Sequence, residues 1–346
     1  MAKKESIIEV EGRQLKLSNL EKVLYPKVGF TKGQVIDYFI RIAPVLLPHL
    51  ARRALTLKRY PNGVDGMFFY EKNCPIHRPK WVQTAKVWSE GNNRFMDYCL
   101  VTDVATLVWL GNLADLELHT SLSCASETQR PTVIAFDLDP GPPANIVQCC
   151  RVGLWIRSIF EQFGLQAFAK TSGSKGLQVY VPLNTAVTYE QTKPFAKAIA
   201  RLLEEQHPDL IVSDMKKSLR VNKVFVDWSQ NDDHKTTVNV YSLRAKEQPT
   251  VSTPVTWQEV EDCLKKGDPE LLVFTSDQVL SRVEKFGDLF EPVLKLKQKL
   301  PSLDALGQDT HQFPVSVRPA RKKSLRPAAA TRKTPAGPRK RKTKAI

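Results

Sequence analysis

Three carboxylates are the first residues in this chain that invite chemistry. Asp137 and Asp139 follow the apolar run Thr132-Val133-Ile134-Ala135-Phe136, and Asp227 interrupts a second one, Val224-Phe225-Val226-Asp227-Trp228. Side chains at i and i+2 of a strand share a face. Asp137 and Asp139 are therefore expected to project together, with Leu138 turned to the core. Neighbouring carboxylates repel and raise one another's pKa unless a cation lies between them. Magnesium and manganese favour such hard oxygen ligands, above all beside phosphates. A bare D-x-D is weak, because a solvated strand end carries two aspartates equally well. The apolar strand before it and the Pro140-Gly141-Pro142-Pro143 break after it strengthen the signal. Asp227 has its own bland reading, the wet face of an edge strand. Against that stands the cost of burying a lone carboxylate between Val226 and Trp228.

A second element of chemistry is Thr171-Ser172-Gly173-Ser174-Lys175-Gly176. Its glycines let backbone amides approach an anion, its serines offer hydroxyls, and Lys175 supplies a point charge suited to phosphate. It lacks Walker spacing, and taken alone it reads equally well as a Gly-Ser hairpin turn. Weaker candidates are His119, which alternates with Glu117, Lys58 in a basic-aromatic stretch, the pair Phe68-Phe69, and Arg244 in Ser242-Leu243-Arg244. A lone His is more often structural, and adjacent Phe residues are usually core. Together, the carboxylates suit two divalent ions about 3.5–4 Å apart beside a triphosphate loop, which is phosphoryl or nucleotidyl transfer chemistry.

The elements that must hold these residues are mixed. Strands are expected at Ile7–Val10, Arg13–Leu17, Met67–Tyr70, Thr132–Phe136, Gln166–Lys170, Gln178–Pro182 and Val224–Trp228, with a further one in Thr236–Leu243. Helices are expected after the N-cap Thr31, over Thr102–Leu110, Asn145–Phe163 and Lys193–Gln206, and from Trp257 to about Leu300. Irregular alternation of this kind predicts an α+β (mixed α/β) body rather than a regular doubly wound sheet.

Composition sets the outer limits. The chain of 346 residues has 42% hydrophobic content and a net charge of +15. Twelve basic and two acidic residues follow Leu300, so most of the excess sits in a Pro/Ala/Lys/Arg-rich stretch. This predicts a catalytic body over residues 1–300 and a disordered basic tail over 301–346. No apolar run has the length of a membrane span or the form of a signal peptide, so a cytoplasmic, nucleoid-associated protein is expected. The six cysteines show no C-x-x-C pair and read as reduced, buried thiols with no disulfide frame.

F-D-L-D-P, then T-S-G-S-K-G, then V-D-W-S-Q-N resemble, in order and spacing, the three motifs of the archaeo-eukaryotic primase superfamily. The bacterial branch, the polymerase domain of the end-joining ligase D and its stand-alone relatives, is the most similar. E-K-V-L-Y-P at Glu21–Pro26, R-Y-P-N-G-V-D-G at Arg59–Gly66, L-E-L-H at Leu116–His119 and Y-S-L-R at Tyr241–Arg244 support it, so the likeness spans about residues 5 to 300. The resemblance implies an RRM-like sheet carrying the aspartates and a packed N-terminal α/β part. It implies that Asp137, Asp139 and Asp227 hold two ions of Mn²⁺ or Mg²⁺. Ser172, Lys175, His119 and Arg244 would contact the incoming NTP or dNTP, with Lys58 in the same pocket and Phe68 and Phe69 near the base and template. Lys22 and Lys32 would hold the 5′-phosphate across a gapped or broken duplex, and Arg220 and Gln230 would lie near the primer terminus. It also implies gap filling or end extension in repair, by end joining or base excision, with ribonucleotides favoured.

Gln178 departs from the family's His in the second motif, which leaves the sugar preference open. No K-x-D-G ligase nucleophile occurs, so a stand-alone enzyme working with a separate ATP-dependent ligase is expected. Two other readings remain. One is a D-x-D phosphatase of the haloacid dehalogenase type, which wants Thr or Val where Gly141 stands. The other is a non-enzymatic DNA-binding or bridging protein acting through its tail.

Overall fold

The structure, a computed structural model, describes residues 5–308, which fall within one compact unit. In chain order the strands are β1 (Glu5–Val10), β2 (Arg13–Ser18), β3 (Val23–Tyr25), β4 (Phe30–Thr31), β5 (Leu55–Arg59), β6 (Phe69–Glu71), β7 (Thr84–Ser89), β8 (Arg94–Cys99), β9 (Asp115–Thr120), β10 (Val133–Pro140), β11 (Phe168–Thr171), β12 (Leu177–Pro182), β13 (Ile211–Val212), β14 (Val224–Asp227), β15 (Thr237–Val238) and β16 (Pro254–Val255). The helices are α1 (Lys32–Leu50), α2 (Val104–Asn112), α3 (Ile146–Gln162), α4 (Tyr189–Gln206), α5 (Trp257–Lys266), α6 (Ser276–Phe286), α7 (Glu291–Lys295) and α8 (Leu303–Gln308).

Twelve of the strands form two six-membered β systems, and β1–β2 and β3–β4 form separate two-stranded sheets. In the first, the chain runs β10-α3-β11-β12-α4-β14 and the strands lie side by side as β14-β10-β12-β11, with β13 and β16 added at the edges. This is the split β-α-β-β-α-β arrangement expected from the motif order. Helices α3 and α4 pack on the sheet. A Cβ on Gly153 of α3 would stand 2.9 Å from Leu177 and 3.8 Å from Leu138, so Leu138 does face a helix and its flanking aspartates face away. The second system is β15-β9-β5-β8-β7, with β6 paired to β5. One hydrophobic cluster joins the two parts, running from Phe39 and Leu46 of α1 through Leu57 and Leu118 to Tyr180 of β12.

Local signals explain the helix starts. Thr31 caps α1 by accepting from the Gln34 amide at 3.3 Å, and Gln34 returns a bond to Thr31 at 2.8 Å. Asn145 and Gln148 do the same for α3, and α4 starts at Tyr189, earlier than periodicity alone suggests, after its cap Thr188. The helical pattern after Trp257 is not one helix. Gly267, at φ +69, ends α5 in a left-handed cap and Pro269 follows, so the stretch is divided among α5, α6 and α7. Of Thr236–Leu243 only Thr237–Val238 forms a strand, paired with β9, while Leu243 makes an isolated bridge to Val251.

One expectation is overturned. Cys74 and Cys99 form a disulfide, while Cys124, Cys149, Cys150 and Cys263 are free and buried. The Cys74 amide donates to Asp97 O at 2.6 Å, which lays the segment before β7 against β8 and brings the two Cα atoms to 5.0 Å. Bridging requires such proximity, which a 25-residue spacing does not announce. Among the described residues no helix is long and apolar enough to cross a membrane. The basic stretch lies outside the described residues from 309 onward; before that the chain forms α8, with Leu306 buried.

Candidate active site

Register brings the carboxylates together. Asp137 of β10 lies directly opposite Asp227 of β14, and Asp139 opposite Phe225. Asp227 is well supplied with donors, from the Ser229 amide at 2.9 Å, the Ser229 hydroxyl at 2.6 Å and Gln230 Nε2 at 3.0 Å. Asp137 Oδ1, in contrast, is buried without a hydrogen-bond partner. Burial, and then the charge of Asp139, push the Asp137 carboxyl well above the usual range, against a hydrogen bond from Gln178. Asp139 is raised by burial and then by Asp227, with Arg220 and Arg244 opposing. The atoms that Asp137, Asp139 and Asp227 offer a metal are all carboxylate oxygens. An orphaned buried oxygen among mutually repelling carboxylates fits a hard divalent cation. Arg220 rests 3.7 Å above the Phe225 ring and donates to Met215 O at 2.8 Å.

Behind the aspartates lies a buried polar group that periodicity did not reveal. Gln178 pairs with Asp137 across β10 and β12. Lys170, 1% exposed, donates to Gln178 Oε1 at 2.5 Å, Ser252 Oγ at 2.7 Å and Val238 O at 3.1 Å, and Gln178 Nε2 donates to Thr237 at 3.1 Å. Burial lowers the Lys170 ammonium, and Asp137 works the other way. The residue that replaces the family's His is thus held at both ends of its amide.

The Ser-Gly-Lys loop joins β11 to β12. The Ser172 hydroxyl accepts from the Ser174 amide at 3.2 Å and the Gly176 amide at 3.1 Å, which closes the loop on itself. Gly176 is required by contact, because a Cβ there would sit 2.2 Å from Leu138 O on the aspartate strand. Lys175 is exposed, on the rim of a cavity of about 310 Å³ lined also by Pro140, Asn145 and Phe274. The aspartates do not line that cavity.

A row across the second sheet meets the loop. Tyr70 of β6, Lys58 of β5 and Glu117 of β9 are cross-strand neighbours, and His119 shares the face of Glu117. The Lys58 ammonium lies 4.6 Å from the Phe68 ring centre and 5.5 Å from that of Tyr70, and the rings of Tyr70 and His119 are 5.9 Å apart. Arg244 donates to Ser172 O at 2.8 Å and so ties the row to the loop. Phe68 is 51% and Phe69 43% exposed, so neither belongs to the core. Phe69 instead lies under Arg59, which pairs with Glu71 at 2.7 Å. Tyr70 and Lys170 escaped sequence reasoning; Lys170 sits in an apolar strand and gave no signal at all.

Lys22 and Lys32 form a separate pair. The Lys32 amide donates to Lys22 O at 2.8 Å, and the Lys32 ammonium to the Asn112 backbone at 3.1 Å and side chain at 3.0 Å. Lys22 reaches Asn62 at 3.1 Å. Burial and the Lys22 charge lower Lys32 to about 8.

Sheet, loop and carboxylates together define a nucleotidyltransferase of the primase-polymerase class. A family model described as LigD, primase-polymerase domain, matches residues 31–290, and the chain belongs to that family. It is 39% identical over 282 residues to the multifunctional non-homologous end joining protein LigD of Mycolicibacterium smegmatis, covering 81% of this chain and 36% of that protein. To the bifunctional non-homologous end joining protein LigD of Bacillus subtilis it is 32% identical over 275 residues, covering 79% and 43%. The chain thus spans less than half the length of these relatives. A solved structure of the polymerase domain of Mycobacterium tuberculosis ligase D in complex with DNA matches with TM-score 0.75 and 38% identity, covering 82% of this chain and 99% of that one.

Proposed function

We propose that this chain adds nucleotides to a DNA 3′ end opposite a template, at short gaps or broken ends, as a step in end-joining or base-excision repair. The observation that carries this reading is Asp137 facing Asp227, with a buried unpartnered carboxylate oxygen, beside a closed Ser-Gly-Lys loop. Asp137, Asp139 and Asp227 would hold two divalent ions, Mn²⁺ or Mg²⁺. When bound, such ions neutralise charge on the reacting phosphate and make the primer hydroxyl more acidic.

The chain's own residues do the rest. Gln230 holds one oxygen of Asp227 and so fixes that carboxylate's rotation. Arg220, near Asp139, is positioned for the primer end. Lys58, His119, Ser172, Lys175 and Arg244 receive the triphosphate, and Phe68 and Phe69 offer exposed rings to the base and the templating strand. Lys22 and Lys32 receive the 5′-phosphate on the far side of the gap, where an anion relieves their mutual repulsion. A preference for ribonucleotides is proposed with Gln178 locked between Lys170 and Thr237. Sealing falls to an ATP-dependent ligase activity supplied separately from these residues.

The phosphatase alternative loses further ground. Gly141 stands where that chemistry wants a branched side chain, and a Cβ there would lie 1.8 Å from Arg220 O. The test is primer extension on a gapped duplex carrying a 5′-phosphate, with ribo- or deoxynucleotides and Mn²⁺ or Mg²⁺. Template-dependent addition is expected from the wild type, with a loss of at least 100-fold in Asp137→Ala plus Asp139→Ala. Full activity in that variant would remove the two aspartates from the chemistry and overturn this reading of the site; no addition by the wild type would leave the chain a DNA-binding protein only.

A further inference from the structure

Glu117 is 1% exposed, yet five groups converge on it. Oε2 meets the Lys58 ammonium at 3.2 Å and His119 Nε2 at 3.1 Å. Oε1 accepts from the Tyr60 hydroxyl at 3.2 Å and the Ala245 amide at 3.1 Å. Arg244 Nε stands 3.5 Å from the same oxygen as an ion pair. Lys58 and His119 come from neighbouring strands of the second sheet. Arg244 and Ala245 come from the segment beyond β15, and Arg244 continues to the backbone of Ser172. One carboxylate therefore joins the sheet that carries Lys58 and His119 to the loop that flanks the aspartates.

Two features argue against a merely structural ion pair. The charges are unequal, with two permanent cations and an imidazole around one anion. The cations also lie on the solvent side, since the Lys58 and Arg244 side chains are 13% and 16% exposed and that of Glu117 2%. A balanced internal pair would leave no positive surplus, whereas this group leaves one on its more exposed side. Lys246 feels the same cations, its ammonium lowered by burial and then by Arg244, opposed by Glu117, with Lys175 and Lys58 adding to the lowering.

We infer that Glu117 is a positioning residue for the incoming nucleotide: it holds Lys58, His119 and Arg244 in one preassembled receptor for a triphosphate and does not itself touch the substrate. A side chain fixed by a buried partner loses less freedom when the ligand arrives. Without the carboxylate the three groups keep their charge but lose their common anchor, so nucleotide affinity falls even though the local charge becomes more positive. The inference rests on the reading that these three residues contact the triphosphate.

The experiment uses the full chain in the gap-extension assay, with KM for the nucleotide and kcat measured separately, and with binding to the gapped duplex measured in the absence of nucleotide. Glu117→Gln keeps the shape and removes the charge. The expected result is a KM raised at least tenfold, a kcat lowered less than threefold and unchanged DNA binding. In an Arg244→Gln background the same substitution is expected to raise KM less than threefold, because the two act as one unit. An unchanged KM in folded Glu117→Gln, or fully additive effects with Arg244→Gln, overturns the inference. Should Glu117→Gln fail to fold, Glu117→Asp retains the charge but withdraws it by one methylene from Arg244 and Ala245. A raised KM with near-normal kcat then supports the role, and a wild-type KM overturns it. Inactive wild-type protein would instead sink the polymerase reading itself, so the two failures are separable.

Discussion

Asp137 occupies a place where a carboxylate is least stable, buried, close to Asp139, and short of one hydrogen bond. Its folded pKa lies above the ordinary carboxylate value near 4 that holds in the unfolded chain. Between those two values the folded state binds more protons, so stability without metal falls as pH rises through that window. The metal-free protein is therefore expected to melt at a higher temperature at pH 5.5 than at pH 8, with a difference on the order of 1–3 kcal/mol. Added Mg²⁺ or Mn²⁺ should close the gap, and Asp137→Asn should remove most of it while abolishing addition. Thermal melts across pH, with and without the ion, check this. Below pH 4 the trend reverses, because Asp288, held low by His49 and Tyr241 against its burial, loses its partners on protonation. Lys32 behaves as the opposite kind of site. With its pKa near 8, it carries less charge at pH 9 than at pH 7. Preference for a 5′-phosphorylated gap should weaken over that range, and Lys32→Gln should cut it about tenfold. Equal binding of phosphorylated and unphosphorylated gaps by the wild type would remove this role.

At the scale of elements, contact between the loop and the aspartate strand sets the geometry. Gly176 passes so close to Leu138 O that a methyl group has no room, and Gly173 adopts φ +67 against the Val251–Ser252 backbone. Gly176→Ala is expected to cost about 1–3 kcal/mol by overpacking. It should also raise the nucleotide KM several-fold, because the loop must shift away from β10. Denaturant melts and extension kinetics read the two effects separately, and a variant with wild-type KM would show that loop position is not critical. The Ser172 hydroxyl already accepts from two loop amides, so its own proton is free to donate. The loop is thus a preformed donor set whose position depends on a neighbouring strand.

For the whole molecule, the net charge of +15 divides unevenly between a mildly basic body and a strongly basic C-terminal stretch. Within the body, acidic side chains sit at the centre of the site and cations at its edges, so binding and chemistry draw on different residues. Residues beyond Gln308 are expected to add affinity for DNA through phosphate neutralisation without sequence preference. Truncation after Gln308 should flatten the slope of log affinity against log salt and leave nucleotide addition largely intact. An unchanged slope would mean that the body alone supplies the salt-sensitive contacts.

Much of the candidate site is legible from residue order. An i, i+2 pair of aspartates on an apolar strand fixes a shared face by backbone geometry alone, and Thr31 and Asn145 mark helix starts by short-range bonds that any reader of sequence can find. Gly267 and Pro269 are equally local signals, and they divide the helical pattern after Trp257 into separate helices. Three features were out of reach of local reasoning. The pairing of Asp137 with Asp227 depends on the register of two strands that bring together residues ninety positions apart. The Cys74–Cys99 bond depends on how the segment before β7 lies against β8. The gathering of Lys58, His119 and Arg244 on Glu117 joins two sheets. The sequence by itself determined which residues carry charge and which way neighbours on a strand point, because those are properties of a few consecutive peptide units. Tertiary structure alone decided which of them share a dry space, because burial and repulsion are set by neighbours that the chain brings together only when it folds.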